Sequence, residues 1–152
     1  MRLRPAAARD AHAVAEVLVE AGAAAWAGFL GEERIRAANA GRTHPADVVA
    51  EDADGVCGFV AWDAQTGEIT RLYVHPRRWR AGVGRALLTA AEDALRAAGV
   101  RQAWLNTEER AAAGAFYDRC GWRRDGAPRV RDWHGARLVE PRYVKDLGPD
   151  PS

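Results

Sequence analysis

The stretch "HPRRWRAGVGRALL", His75 to Leu88, packs four arginines and two closely spaced glycines into fourteen residues. A strand-like run, EITRLYV, Glu68 to Val74, precedes it, and a helix-like run follows it. A helix N-terminus offers unpaired N–H groups and the positive end of a dipole, so such a junction suits a phosphate. Gly82 and Gly84 would let a polyanion approach the backbone without hindrance from a Cβ. A dinucleotide fingerprint would need a third glycine where Leu87 stands, and an acidic residue on a later strand. A Walker A loop would need Gly-Lys-Ser/Thr, which is absent. A tight turn carrying solvated arginines is the alternative to any ligand loop.

The rest of the composition narrows the class. The chain has 152 residues, 48% of them apolar, and a formal net charge of +1. That length suits one domain with one core. The balanced charge argues against nucleic acid or an acidic membrane as the partner. Cys57 and Cys120 are too few and too far apart for a disulfide framework or a zinc site, and no metal-ligand spacing is found. The opening MRLRPAAARDA lacks the apolar region of a signal peptide. No apolar run approaches the ~20 residues that span a bilayer. A soluble, cytoplasmic protein is expected.

Periodicity predicts a short strand at Arg2 to Arg4 and a helix from Asp10, with Gly22 loosening its end. A second helix is expected over Glu32 to Ala40. Strands follow at Asp47 to Glu51 and Val56 to Trp62, around an Asp54-Gly55 turn, and at Glu68 to Val74. Gly82 to Ala98 reads as the best helix, with an apolar face of Val83, Leu87, Ala91, Ala94, Leu95 and Ala98. Glu92 and Arg96 form an i,i+4 pair there, and Gly99 stops the helix. A strand at Arg101 to Asn106 and a helix over Arg110 to Arg119 come next. Two last strands, Trp122 to Asp125 and Arg137 to Asp146, are joined through Pro128 and Gly135. The pattern is a single α/β (α+β) domain over residues 1–147, with a frayed tail at 148–152.

The segment Val74-His75-Pro76, followed by Gly82-Val83-Gly84-Arg85-Ala86-Leu87-Leu88, resembles the pyrophosphate loop of the GCN5-related N-acetyltransferases (GNAT), in a bacterial branch. Their loop pattern is Gln/Arg-x-x-Gly-x-Gly/Ala; here Trp79 stands in the Gln/Arg slot, and Arg80 or Arg78 could supply the missing side chain. Phe116-Tyr117-Asp118-Arg119-Cys120-Gly121-Trp122 resembles the family's Phe-Tyr helix. A second departure is Arg110, which stands six residues before Phe116 where the family often has Asn. LRPAAARDAHAVAEVL resembles the family's first strand and helix, and AAWAGFLGEE its substrate-side helices.

The resemblance implies a central mixed sheet flanked by about four helices, with the fourth and fifth strands splayed around acetyl-CoA. It implies transfer of an acetyl group to a primary amine of a small molecule or peptide, by direct attack in a ternary complex and without a metal. Backbone N–H groups from Trp79 through Arg80, Ala81, Gly82, Val83, Gly84 and Arg85 would hold the pyrophosphate, with Arg110 and Phe116 nearby. Leu72 and Val74 would pair with the pantetheine arm, and the N–H of Leu72 would polarise the thioester carbonyl. Glu68 is the candidate general base, placed by strand alternation on one face with Thr70, Leu72 and Val74. An ordinary strand-start carboxylate is the alternative, with His75 and Glu109 as reserves. Tyr117 is the candidate acid that protonates the leaving thiolate. Trp26, Phe29, Glu33 and Trp133 are candidates for the acceptor pocket, whereas Trp104 and Trp122 read as core. A homodimer through the last strands is an option the family offers. Two other functions stay open: a non-catalytic acyl-CoA-binding module and a toxin-like aminoacyl-tRNA acetyltransferase. The acceptor itself is not legible.

Overall fold

The computed structural model describes residues 1–149; of the tail expected at 148–152, residues 150–152 lie outside the described residues. The element order is β1 (Arg2–Pro5), α1 (Ala11–Leu30), α2 (Glu32–Asn39), β2 (Val48–Asp52), β3 (Gly55–Asp63), β4 (Glu68–Val74), α3 (Val83–Ala97), β5 (Gln102–Asn106), α4 (Ala113–Arg119), β6 (Arg123–Arg124), β7 (Arg129–Trp133), β8 (Ala136–Glu140) and β9 (Arg142–Asp146). Seven strands form one mixed sheet in the order β1-β2-β3-β4-β5-β9-β6. Among the described strands only β4 and β5 pair in parallel, joined through α3.

Two apolar layers sandwich the sheet. On one face Val83, Leu87, Ala91 and Leu95 of α3 meet Val60, Ile69, Ala103 and Leu105, together with Tyr117 of α4. On the other face Val14, Val17 and Leu18 of α1 meet Val49 and Phe59. Gly58 sets how closely α3 can approach. A Cβ there would lie 2.9 Å from Leu87 Cδ1 and 3.1 Å from the Tyr73 carbonyl.

Several expectations need correction. Gly22 does not loosen α1, which runs on to Leu30 and ends at Gly31, where φ is +84°. A Cβ on Gly22 would stand 3.4 Å from Ile35 Cγ2, so this glycine serves the contact between α1 and α2. Burial along that seam outweighs the low helix propensity of one glycine. The segment Ala8–Leu30 is long and apolar enough by length and composition to cross a membrane, as core helices also are, although Glu16 and Glu20 interrupt its apolar run. Its Val14, Val17 and Leu18 stripe packs on the sheet.

The Glu92–Arg96 pair does not form. Arg96 instead bonds Asp93 at 2.8 Å and the Leu147 carbonyl at 2.8 Å. Glu92 is buried, accepting from the Trp122 indole at 3.1 Å and from Lys145 Nζ at 2.8 Å. Lys145 Nζ also donates to the Cys120 carbonyl at 2.8 Å. Ala98, expected on the apolar face, is exposed, while Leu88 is buried. The stretch from Pro128 to Gly135 is no simple connection. β7 and β8 pair into a separate two-stranded sheet, and Pro141 breaks the long last strand into β8 and β9.

Two β-bulges shape the sheet. Cys57 is the extra residue between Gly58 and Val56 in the β2–β3 pairing. Thr70 is the extra residue in β4, between Ile69 opposite Trp62 and Arg71 opposite Ala61. A bulge inserts one unpaired residue and resets which side chains share a face. Ile69, Leu72 and Val74 therefore all meet the α3 layer, while Tyr73 meets the α1 layer. Glu68, the neighbour of Ile69, belongs with Arg71 and Tyr73. Strand alternation alone had placed Glu68 with Leu72 and Val74, and the bulge overturns that.

Candidate active site

The glycine loop lies where β4 has ended in a single 3-10 turn, Pro76–Arg78, and α3 begins. Gly82 is left-handed at φ +82° and caps α3, and Arg80 is also left-handed at φ +62°. Left-handed backbone costs a side-chain-bearing residue about 1–2 kcal/mol, so Arg80 holds a strained shape within this loop. Among the described residues, none of the six backbone N–H groups from Arg80 to Arg85 bonds an acceptor within the protein. That is a nest of donors at the positive end of a fifteen-residue helix.

Three of the four arginines are otherwise engaged. Arg77 bonds Asp52 at 2.5 Å, Arg78 Nε lies 3.3 Å from the same carboxylate, and Arg85 donates to the Arg119 carbonyl at 3.2 Å. They hold β2 and the end of α4 in place. Arg80 forms no ion pair among the described residues. Phe116 packs over Gly84, where a Cβ would stand 3.5 Å from its ring.

Beside the loop, β4 and β5 diverge. Their register has one pair, Glu68 with Trp104, supported by the Trp104 N–H to Gly67 carbonyl bond of 3.1 Å. Beyond that point the strands part. Val60, opposite Leu72, accepts from Asp47 on the β2 side at 2.9 Å. In an antiparallel pair a residue directs its N–H and C=O to one side only. Leu72, and Val74 two residues on, therefore direct their polar backbone groups away from β3 and into the gap. The Trp79 indole, 46% exposed, reaches the Val74 carbonyl from there at 2.7 Å.

Tyr117 is buried, its ring 5.2 Å from Phe116, 5.9 Å from Trp122 and 5.9 Å from Tyr143 between centroids. Burial pushes its phenol well above the usual range, which keeps it protonated. Glu68 has its carboxyl raised, first by desolvation, with Asp63 adding and Arg129, Arg142 and Arg71 opposing. Of the reserves, His75 Nδ1 accepts from the Arg77 N–H at 3.2 Å, and Glu109 is exposed.

The acceptor-side residues separate. Trp26, Phe29 and Trp133 gather in one cluster with Leu30, Ile35 and Leu138, where the β7–β8 hairpin meets α1 and α2. Trp26 stands edge-on to Tyr73 at 6.3 Å. Glu33 is not brought to this cluster; it lies on an open groove lined by Glu32, Arg36, Ala37 and Ala40. Arg110 turns from the glycine loop to the hairpin, bonding Glu108 at 2.6 Å and the Arg137 carbonyl at 3.1 Å, over the Phe29 ring at 4.3 Å.

Trp104, read as core, is not core. Its neighbours Ala103 and Leu105 take the α3 layer, so its ring faces the Glu68 side, beneath Arg142 at 4.4 Å. Trp122 is core at 3% exposure. Sequence reasoning missed Arg71, Trp104, Arg129 and Arg142, which no local motif marks. Among the described residues no group of His, Cys, Asp or Glu is arranged to hold a metal ion, and both thiols are free.

A family model for the acetyltransferase (GNAT) domain matches residues 45–124, just over half of the chain. The chain belongs to the GNAT acetyltransferase family. Mycothiol acetyltransferase of Beutenbergia cavernae is 42% identical over 80 residues, which are 49% of this chain and 27% of that protein. The chain thus matches about a quarter of that curated relative's length. A GCN5-related N-acetyltransferase from Rhodopseudomonas palustris superposes with a TM-score of 0.79 at 22% identity, covering 95% of this chain and 94% of the other. The yncA protein of Salmonella typhimurium, solved with acetyl-CoA, gives 0.69 at 22%, covering 100% and 96%. PaiA N-acetyltransferase from Thermoplasma acidophilum, in complex with coenzyme A, gives 0.66 at 18%, covering 95% and 98%. These three share the GNAT fold with this chain.

Proposed function

We propose that this GNAT protein transfers the acetyl group of acetyl-CoA to a primary amine of a small molecule or peptide, by direct attack. The observation that carries the reading is the set of free N–H groups from Arg80 to Arg85, opening beside the gap between β4 and β5. Such a nest matches a pyrophosphate, and the gap matches an extended amide-bearing arm. Two relatives of the same fold are solved with coenzyme A or acetyl-CoA.

Acetyl-CoA, when bound, supplies an activated thioester whose C–S bond breaks as the amine nitrogen forms the new C–N bond. The residues of the chain do the rest. Backbone N–H groups of the glycine loop hold the diphosphate, and those of Leu72 and Val74 align the arm. The N–H of Leu72 donates to the carbonyl oxygen as negative charge develops there. Glu68 takes the amine proton, directly or through water, and its raised carboxyl is the better base for it. Tyr117 donates its phenolic proton to the departing sulfur, and burial ensures that the proton is present at neutral pH.

Thiol release from acetyl-CoA, followed across polyamines, aminoglycosides, amino acids and peptides, tests the reading. Amine-dependent release with one of these classes is expected. Binding of acetyl-CoA without release in any class would make the chain an acyl-CoA-binding module instead. Release with aminoacyl-tRNA alone would point to the toxin-like activity.

A further inference from the structure

The sheet face that carries Glu68 is rich in guanidinium groups. The bulge at Thr70 brings Arg71 onto it. Trp104, the partner of Glu68 across the β4–β5 pair, has Arg142 stacked on its ring at 4.4 Å. From the β7–β8 hairpin, Arg129 and Arg131 reach Glu140, at 3.1 Å and 2.6 Å. One buried carboxylate is thus shared by two arginines, while Arg71 and Arg142 form no ion pair among the described residues. Arg142 Nε is buried and has no hydrogen-bond partner among them. The fields of Arg129, Arg142 and Arg71 oppose the burial of Glu68, while Asp63, its partner across the β3–β4 pair, adds to it.

Four guanidinium groups therefore stand around three carboxylates, Glu68, its cross-strand partner Asp63, and Glu140. A polycation would meet like charge here, and like charge excludes partners effectively. A carboxylate would meet planar N–H forks of matching geometry. The packed cluster of Trp26, Phe29 and Trp133 walls one end of this face with helix and hairpin, which suits a compact acceptor over a long chain.

We propose that the acceptor is a small primary amine bearing a carboxylate, which Arg142 and Arg71 hold while its amine faces Glu68. This deepens the acetyl-transfer reading and rests on it. Thiol release is measured with the common amino acids, each as the free acid and as its carboxamide, with spermidine and kanamycin alongside. The best free acid should exceed its carboxamide in kcat/KM by about tenfold to a hundredfold, the range of one or two charge-assisted hydrogen bonds. Arg142→Gln should erase that preference by raising KM for the amine and leave KM for acetyl-CoA unchanged. Arg142→Lys, which keeps the charge, should recover part of it. Equal use of carboxamides, or preference for spermidine or kanamycin, overturns the proposal.

A second measurement separates this proposal from the reaction itself. The N-acetyl derivatives of the same amino acids, as acids and as amides, are titrated calorimetrically into the protein with coenzyme A. Binding of an acid but not its amide, lost in Arg142→Gln, supports the anion site even where no amine gives turnover. Equal binding of both, or of neither, overturns it.

Discussion

Burial moves Glu68 and Tyr117 the same way, raising both, which makes the proposed base more basic and keeps the proposed acid protonated. The Glu68 carboxyl is raised, so the folded protein holds that proton more tightly than the unfolded chain does. The associated stability is fully present below the ordinary carboxylate value, about 4.3, and is lost as pH rises through the folded value. Ionisation of this side chain therefore costs the fold stability. Glu68→Gln should lower kcat/KM by about a hundredfold or more, yet raise Tm slightly in a thermal melt. Tyr117→Phe should lower kcat by about a hundredfold and leave acetyl-CoA affinity, measured by calorimetry, nearly unchanged. An unchanged kcat would remove Tyr117 from the proton path. Glu68 and Tyr117 are candidates from the sequence only through the family resemblance, one by its offset from the glycine loop and the other by its Phe-Tyr pair. Arg142 is not, because it enters the site through pairing between strands far apart in the chain.

At the level of elements, the junction of β3 with α3 depends on a missing side chain. Gly58→Ala would place a Cβ 2.9 Å from Leu87 and 3.1 Å from the Tyr73 carbonyl, and the second of these is backbone that cannot swing aside. A loss of about 1–3 kcal/mol is expected, seen as a lower urea midpoint with an unchanged slope. Tyr73 and Val74 lie where β4 borders the gap, so weaker acetyl-CoA binding should accompany the loss. Helix periodicity and turn glycines made α2, α3 and the succession of elements as far as β5 readable in advance. The β7–β8 hairpin was not readable, because RVRDW, Arg129 to Trp133, has no clean apolar alternation and its strands pair only with each other. Nor does one extra residue in β4 leave a mark in EITRLYV. The β-bulge there shows only in the pairing, yet it decides which side of the sheet Glu68 and Arg71 occupy.

Across the whole molecule, the ends of the chain are tied by charge. Arg4 grips Asp10 through two bonds of 2.8 Å and also meets Glu51 at 3.1 Å, joining β1, the start of α1 and β2. The Arg4 guanidinium holds the Asp10 carboxyl down, from its ordinary 3.8 to about 2. A lowered carboxyl contributes stability that is complete above its unfolded value and is lost as pH falls through its folded one. The protein should therefore lose about 2 kcal/mol between these two values. Asp10→Asn should show that deficit in urea titrations near neutrality, and match the parent once both are acidified below pH ~2. At the other end of the chain, Lys145 is the only lysine in the sequence. Its nitrogen is held between Glu92 and the Cys120 carbonyl. Under the proposed acetyl transfer to amines, the one side-chain amine of this sequence is thus fastened inside the scaffold. That lysine is therefore a poor acceptor for the proposed reaction, which leaves the acetyl group for other molecules.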